Sequence, residues 1–409
     1  MRKLITTIAI VVLGTGLAAA QERPEAVVNE ITVAGSLRRG VDFLIAKQNP
    51  NGSWGGPTRT KDLNIYAPLP GAHHAFRAGA SGLALSGLID SGDQRPEALA
   101  AIAKGAAWME SELPKLRRAD QTTTYNAWGH AYGMRAFTRL YKIAKTDEEK
   151  EKWKRLAQEQ CDLVNRYMDL AGGWGYLDIY DGLTTQHPSG ITTCFTTATV
   201  LLAMREARDV MGIKLDDRVV KLSVASVERQ RTPDFSYVYS QSHIYRPRLP
   251  INRPAGSLSR SQACNATLRA YGDARVTDEV INTWADRFIE REGFLSIGRK
   301  KPVPHESYFQ ISGYFYYYGV FYFTESVEFL PPAAQKEHAA KLAKLILFRQ
   351  EKDGSWWDYP LYDYHQPYGT GYALMALSRC RDMMKAAPPI GDVKGAGDAG
   401  AGDASGLTK

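Results

Sequence analysis

The stretch from Phe43 to Trp54 reads FLIAKQNPNGSW, and the stretch from Leu345 to Trp356 reads LILFRQEKDGSW. Aligned without gaps, each closes an apolar helical run with a basic residue, a Gln, three variable positions and then Gly, Ser and Trp. A helix end leaves four backbone carbonyls unpaired. A glycine permits the tight turn out of the helix, and an indole covers a large apolar area while offering one N–H to satisfy. Gln48, Gly52 and Trp54, and likewise Gln350, Gly354 and Trp356, therefore read as fastenings of helix ends rather than as reactive groups. Weaker copies stand at AGGWGY (Ala171 to Tyr176) and EGFLSIG (Glu292 to Gly298).

Outward from these two copies, helical apolar periodicity recurs about twelve times in alternating kinds. One kind is amphipathic with a charged outer face, as in EEKEKWKRLAQEQCDLVNRYMDL (Glu148 to Leu170) and AAQKEHAAKLAKLILFRQ (Ala333 to Gln350). The other is poor in charge and rich in small residues: GASGLALSGLIDSG, GHAYGMRAFTRLYKI, TTCFTTATVLLAM, SQACNATLRAYGD, SGYFYYYGVFYF and YGTGYALMALS. A helix that is apolar nearly all round must be enclosed on all sides. Six such pairs, with no strand-like alternation, predict an all-α fold: an (α/α)6 toroid of six inner and six outer helices, spanning residues 21–387. An open superhelical solenoid is the competing arrangement. The two best fastenings favour the closed ring, because they sit on the first and last outer helices, which become neighbours only on closure.

The unit F-L-x-x-K-Q-x-x-x-G-S-W, with Arg349 replacing Lys47 in its second copy, resembles the Gln/Trp repeat of squalene-hopene and oxidosqualene cyclases and, more loosely, of protein prenyltransferase β subunits. The resemblance implies an (α/α)6 toroid in which Gln48 and Gln350 tie a helix C-terminus to the next element and Trp54 and Trp356 pack over it. A second similarity lies in YDYHQPYGTGYALMAL (Tyr362 to Leu377), which looks like the prenyltransferase segment whose His binds zinc and would make His365 the ligand. The partner Asp-x-Cys of that family reads His305-Glu306-Ser307 here, so its thiolate is missing. The cyclase acid motif Asp-x-Asp-Asp is absent, as is the diphosphate-ionising Asp-Asp-x-x-Asp.

The termini and composition bound the rest. Arg2 and Lys3 precede an apolar run that ends in Ala18-Ala19-Ala20, which reads as a secretory signal over residues 1–20 cleaved before Gln21. The expectation is an exported protein, periplasmic or extracellular, without a transmembrane segment after cleavage. The formal charge of +7, or +5 without Arg2 and Lys3, is spread along the chain and argues against nucleic acid. Four cysteines are too few for a disulfide scaffold. Residues 388–409, rich in Gly, Ala and Asp, read as a disordered tail.

Histidines mark the repeat as well. His74, His130, His187, His243, His305 and His365 are separated by 56, 57, 56, 62 and 60 residues, and each lies just before or within the first turn of an inner helix. In a toroid those positions ring one mouth, where the positive ends of the inner helices favour neutral imidazole. Adjacent members could share a metal, and His305 with His365, assisted by Glu306 or Asp363, is the best candidate for a nitrogen and oxygen site of the kind zinc accepts. The mouth loops also carry Tyr245, Tyr308, Tyr364 and the acids Asp178, Asp181, Glu306, Asp358 and Asp363. Catalytic candidates are His305, Glu306, His365, Asp363 and Asp181. The expected ligand is a small molecule, lipid or carbohydrate held at this His/Tyr-lined mouth, without standard cyclase or prenyltransferase catalysis. The alternatives are a metal-dependent or acid/base enzyme, such as a polysaccharide lyase or hydrolase with paired carboxylates, and a non-catalytic module binding polysaccharide or protein.

Overall fold

The computed structural model describes residues 27–61, 71–119, 123–176, 191–254, 256–305 and 310–386. The signal and tail expected at the termini, and Asp178, Asp181, His187, Glu306 and Tyr308, lie outside the described residues. Within them are thirteen α-helices: α1 (Glu30–Ala46), α2 (Ala72–Ser91), α3 (Pro96–Glu112), α4 (Asn126–Ile143), α5 (Asp147–Asn165), α6 (Cys194–Met211), α7 (Asp217–Arg229), α8 (Leu258–Ala270), α9 (Asp278–Glu290), α10 (Glu292–Gly298), α11 (Phe315–Val327), α12 (Pro332–Phe348) and α13 (His365–Ala386). The described residues form no strand; extended backbone pairs only in isolated bridges.

The ring is closed. Of the inner helices α2, α4, α6, α8, α11 and α13, each packs on the next, and α13 packs on α2. The outer helices α1, α3, α5, α7, α9 and α12 wrap them, and α1 meets α12. Capping follows the same division. Asn29, Thr146, Asp216 and Thr277 cap α1, α5, α7 and α9 through their side chains, while α3 and α12 begin at proline. The inner helices α2, α4, α6, α8 and α11 have no side-chain cap of their own. The outer helices are thus specified locally, and the inner ones by enclosure.

The fastenings make three attachments each. The indole N–H of Trp54 donates to Leu44 O at 2.8 Å, that of Trp174 to Val164 O at 2.8 Å, and that of Trp356 to Ile346 O at 2.9 Å, always ten residues back on the preceding outer helix. The backbone N–H of the same three residues donates to Ser81, Thr197 and Thr370 on the following inner helix. The turn glycine then lies against the next outer helix: a Cβ on Gly52, Gly172 or Gly354 would come within 2.4 Å of the carbonyl oxygen of Lys104, Leu222 or Arg39. All three have φ near +90°. Gln48 Nε2 donates to Ala101 O of α3 at 2.9 Å, and Gln350 Nε2 donates to Ser36 O of α1 at 2.9 Å, so the last copy joins the sixth outer helix to the first.

AGGWGY therefore forms a third full copy, whereas EGFLSIG does not: it is the short helix α10. A fourth copy escaped the sequence reading. Thr232 to Tyr237 makes the same turn, with Thr232 N donating to Ser236 O and Phe235 N to Thr232 O. Phe235 takes the left-handed conformation that glycine fills elsewhere (φ 61°), and Tyr237 stands where the others have Trp.

The far end of the ring, where the inner helices finish, is plugged by charge. Arg135 is fully buried and donates two bonds of 2.7 Å to Glu325 and one of 2.8 Å to Glu206. Arg139 reaches Asp90 and Glu206, and Arg379 reaches Glu325 and Glu328. Five inner helices contribute to this network. No described helix is long and apolar enough to cross a membrane.

Two glycines separate the role of close approach from that of conformation. Gly92 has φ 74° and space for a Cβ, whereas Gly354 has φ 87° and the Arg39 carbonyl in the way. Gly92→Ala should cost about 1 kcal/mol, the ordinary penalty of a left-handed alanine. Gly354→Ala should cost at least about 2 kcal/mol more, because the α12 to α1 contact must also open. Urea denaturation of both variants checks this, and equal losses would show that the turn does not hold the ring shut.

Candidate functional site

At the end of the ring where the inner helices begin, the axis opens into a chamber of about 370 Å³. Fourteen of its twenty-two lining residues are Phe, Tyr or Trp, and none is Asp, Glu, Lys or Arg. Helical phase explains the lining. On α4, Trp128 and Tyr132 face the chamber and Arg135 and Arg139, on the same stripe at i+7 and i+11, form the plug below. Tyr364, Tyr368, Tyr372 and Arg379 repeat this order across the start of α13 and along it, as do Tyr314, Tyr318 and Glu325 on α11. α2 supplies the small residues Ala75, Gly79 and Ala80, and the space exists where their side chains end.

The aromatic rings touch one another in a belt. Phe76 meets Tyr125 at 4.7 Å between centroids, Tyr125 meets Tyr176 at 5.9 Å, Tyr176 meets Phe195 at 5.8 Å and Phe195 meets Phe315 at 5.0 Å. Tyr318, Tyr372 and Tyr132 continue it on the other side. These separations are those of favourable offset and edge-to-face pairs.

Two members of the histidine series enter the chamber wall, His243 and His305. His305 takes a left-handed backbone (φ 55°). Its Nδ1 donates to Gln310 O at 2.9 Å, and its Nε2 accepts from the Tyr314 hydroxyl at 2.7 Å. Burial, with a smaller contribution from Arg260, pushes its pKa down to about 4, so the ring is neutral. His243 pairs through Nδ1 with Ser240 Oγ at 2.7 Å and is lowered by burial and by Arg260 and Arg246.

His74, His130 and His365 are placed elsewhere. His74 packs edge-on against Trp108 of α3. His130 bonds Gln160 of α5 at 2.8 Å and stacks on Tyr167. Each lies two residues from a chamber residue on its own helix, Phe76 and Trp128, which turns it about 200° away from the axis. His365 is fully buried against Trp357, with Nδ1 on the Tyr362 carbonyl, and burial holds it near 4. His73, outside the series, sits nearer the chamber: Tyr364 reaches its carbonyl at 3.2 Å. Tyr364 lines the wall, while Tyr245 is 88% exposed.

The zinc set implied by the prenyltransferase resemblance does not fit these residues. The Nε2 lone pair of His305 is taken by Tyr314, His365 holds the Tyr362 carbonyl through Nδ1 while its buried Nε2 has no hydrogen-bond partner, and the family's cysteine is Ser307. Among the described residues no three His, Cys, Asp or Glu side chains gather as a metal site. All four cysteines are buried and free.

One carboxyl lies directly behind the wall. Asp358 is fully buried; it accepts the hydroxyl of the chamber residue Tyr368 on Oδ1 and the N–H of Tyr317, in the first turn of α11, on Oδ2 at 2.9 Å. It thereby serves as the N-terminal cap that α11 lacks locally. Asp363 is half-buried, and its carboxyl is also raised by burial.

The geometry defines an all-α toroid with an aromatic chamber at one end and an ionic plug at the other. No protein-family model matches the chain, and no curated protein matches it in sequence. Solved structures share the fold. Cellobiose 2-epimerase from Spirochaeta thermophila superposes with a TM-score of 0.54 at 15% identity, over 87% of this chain and 98% of that one. A D-mannose isomerase gives 0.53 at 10% identity, over 87% and 98%. The type II terpene cyclase MstE from Scytonema gives 0.50 at 14% identity, over 87% and 100%. At such identities the likeness establishes the α/α toroid and leaves the chemistry to the site itself.

The Asp358 carboxyl is pushed up to about 6 by burial, against the pull of Tyr368 and Tyr317. Folding therefore takes up a proton between about pH 4 and pH 6, and this group's contribution to stability declines as pH rises through that window. Asp358→Asn, neutral throughout, should gain on the wild type by about 2 kcal/mol between pH 4.5 and pH 7.5. Urea unfolding at the two pH values reads the difference. A pH-independent difference would show that the carboxylate is not destabilised by its site.

Proposed function

We propose that this protein is an exported toroid that binds an isoprenoid or similarly apolar, ring-bearing small molecule in the aromatic chamber. The observation that carries the reading is the chamber wall, which among the described residues is mostly aromatic and lacks a charged side chain. Burying apolar surface there is favourable by roughly 25 cal/mol per Å², and aromatic faces add specific contact with flat or unsaturated ligands. A sugar would have to exchange the water on its many hydroxyls for partners this wall largely lacks, at a cost for each one left unpaired. The volume stands near the lower end of the roughly 300–1,000 Å³ typical of small-molecule pockets, which suits a ligand smaller than a tetracyclic triterpene. Export rests on the N-terminal pattern of Arg2, Lys3, an apolar run and Ala18-Ala19-Ala20, and N-terminal sequencing of the secreted form should begin at Gln21.

Gly79 provides the test. It lines the chamber from mid-helix on α2, and a Cβ there would meet nothing closer than 3.9 Å. Gly79→Leu should fill the cavity, while the replacement of a helical glycine leaves stability equal or improved by up to about 1 kcal/mol. Binding of farnesol, followed by quenching of tryptophan fluorescence, should weaken at least tenfold in the variant with no fall in Tm. Unchanged binding in a folded Gly79→Leu protein would place the ligand outside the chamber, and absence of binding to the wild type by any apolar probe would reject the reading.

A further inference from the structure

Within this largely apolar wall runs a chain of four hydrogen bonds. Gln310 O receives the His305 Nδ1–H at 2.9 Å, His305 Nε2 faces Tyr314 OH at 2.7 Å, Tyr314 OH faces Tyr239 OH at 3.1 Å, and Tyr239 OH meets Tyr176 OH. Its direction is fixed from one end. A carbonyl can only accept, so Nδ1 must carry the imidazole proton and Nε2 must present its lone pair. Tyr314 then donates to Nε2 and has no second hydrogen, so Tyr239 must donate to Tyr314. By the same step Tyr176 donates to Tyr239. The alternative, an imidazolium donating from both nitrogens, is opposed by the burial that keeps His305 neutral.

From this geometry we infer that the chain is the polar recognition element of the chamber and that it selects a ligand bearing a hydrogen-bond donor: an isoprenoid alcohol in preference to the matching aldehyde or hydrocarbon. Every hydrogen along the chain is committed towards His305, so its phenol oxygens can receive a ligand hydroxyl but cannot donate to a ligand carbonyl. The wall also holds a separate hydroxyl pair, Tyr132 with Tyr372, in which either can donate, whereas other neighbouring phenols are tethered. Tyr318 donates to Phe195 O at 3.0 Å, Tyr359 to Pro302 O at 3.2 Å, and Tyr368 to Asp358. The left-handed backbone of His305 agrees with a side chain held in place for its partners at the expense of local conformation. His243 is a wall residue whose proton position the hydrogen bonds leave open, since its Ser240 partner can either donate or accept. The inference rests on the apolar ligand proposed above and adds the polar group at its end.

Farnesol, farnesal and farnesene share a carbon skeleton and differ at that end. The wild type should bind farnesol about tenfold more tightly than farnesal or farnesene, the size of one buried hydrogen bond. Tyr239→Phe cuts the chain between Tyr314 and Tyr176 and should bring the three affinities within about twofold of one another. Equal binding of all three by the wild type would overturn the inference while sparing the apolar chamber, and failure of all three to bind would reject the chamber reading instead. A preference that survives in a folded Tyr239→Phe protein would overturn the assignment to this chain. Far-ultraviolet circular dichroism and Tm of each variant exclude misfolding as the cause.

Discussion

The structure depends on one repeated turn that couples three helices at once. An outer helix, an inner helix and the next outer helix have no covalent reason to keep a fixed relation, and a two-helix unit of this size buries too little to be stable alone. The turn supplies the relation: the indole bonds back to its own outer helix, its backbone N–H bonds to a hydroxyl of the inner helix, and its glycine lies on the carbonyl of the next outer helix. Four of the six outer-to-inner connections make this turn, at Trp54, Trp174, Tyr237 and Trp356. At the last copy the ring meets its own beginning, with Gln350 bonded to α1. The chamber is a consequence, because inner helices started by equivalent turns begin at the same end of the ring.

Along the axis the inner helices sort their side chains by depth. Aromatic residues occupy the first turns and charged residues the later ones on the same stripe. The ionic plug satisfies its members mutually: Arg135, Arg139 and Arg379 each bond at least one carboxylate, and Arg135 bridges Glu206 to Glu325. Buried ion pairs contribute little net stability over apolar packing but strongly penalise any arrangement that separates them. Their value here is specificity, since five helices must arrive in register for the network to close. Among the described residues the wall carries no charged side chain and the charges beyond it are paired with one another, a setting in which an apolar ligand competes with water.

The fold was legible because its determinants are short, local and repeated. The fastening reads directly as Gln, Gly and Trp, and the small-residue helices announce their burial by the loss of a charged face. The fourth turn, at Thr232, was missed because Phe235 does what glycine does elsewhere and Tyr237 replaces Trp. The site was read less well for one physical reason. The histidine spacing tracks where inner helices begin, which is a property of the repeat, but which way a side chain points depends on helical phase. His74 and His130 are out of phase with the axis and brace outer helices instead. The signal that marks the axis was present: Trp128, Tyr132, Arg135 and Arg139, at i, i+4, i+7 and i+11, form one stripe in a helix otherwise poor in charge.

An apolar chamber of this size must also resist collapse, and the choice of tyrosine over phenylalanine explains how it does. A phenylalanine at the edge of a void can rotate into it and recover lost contacts. A tyrosine whose hydroxyl is bonded behind the wall cannot do so without breaking that bond. Tyr318 is held by the carbonyl of Phe195, Tyr359 by that of Pro302, Tyr364 by that of His73, and Tyr368 by the carboxyl of Asp358. The anchors belong to different elements, so rings and scaffold constrain each other. On the opposite side Ala75, Gly79 and Ala80 have no side chains long enough to fill the space. Tethered rings and the short side chains of α2 keep the cavity open before any ligand arrives, and the hydroxyls that tether these rings have no hydrogen left to offer a ligand.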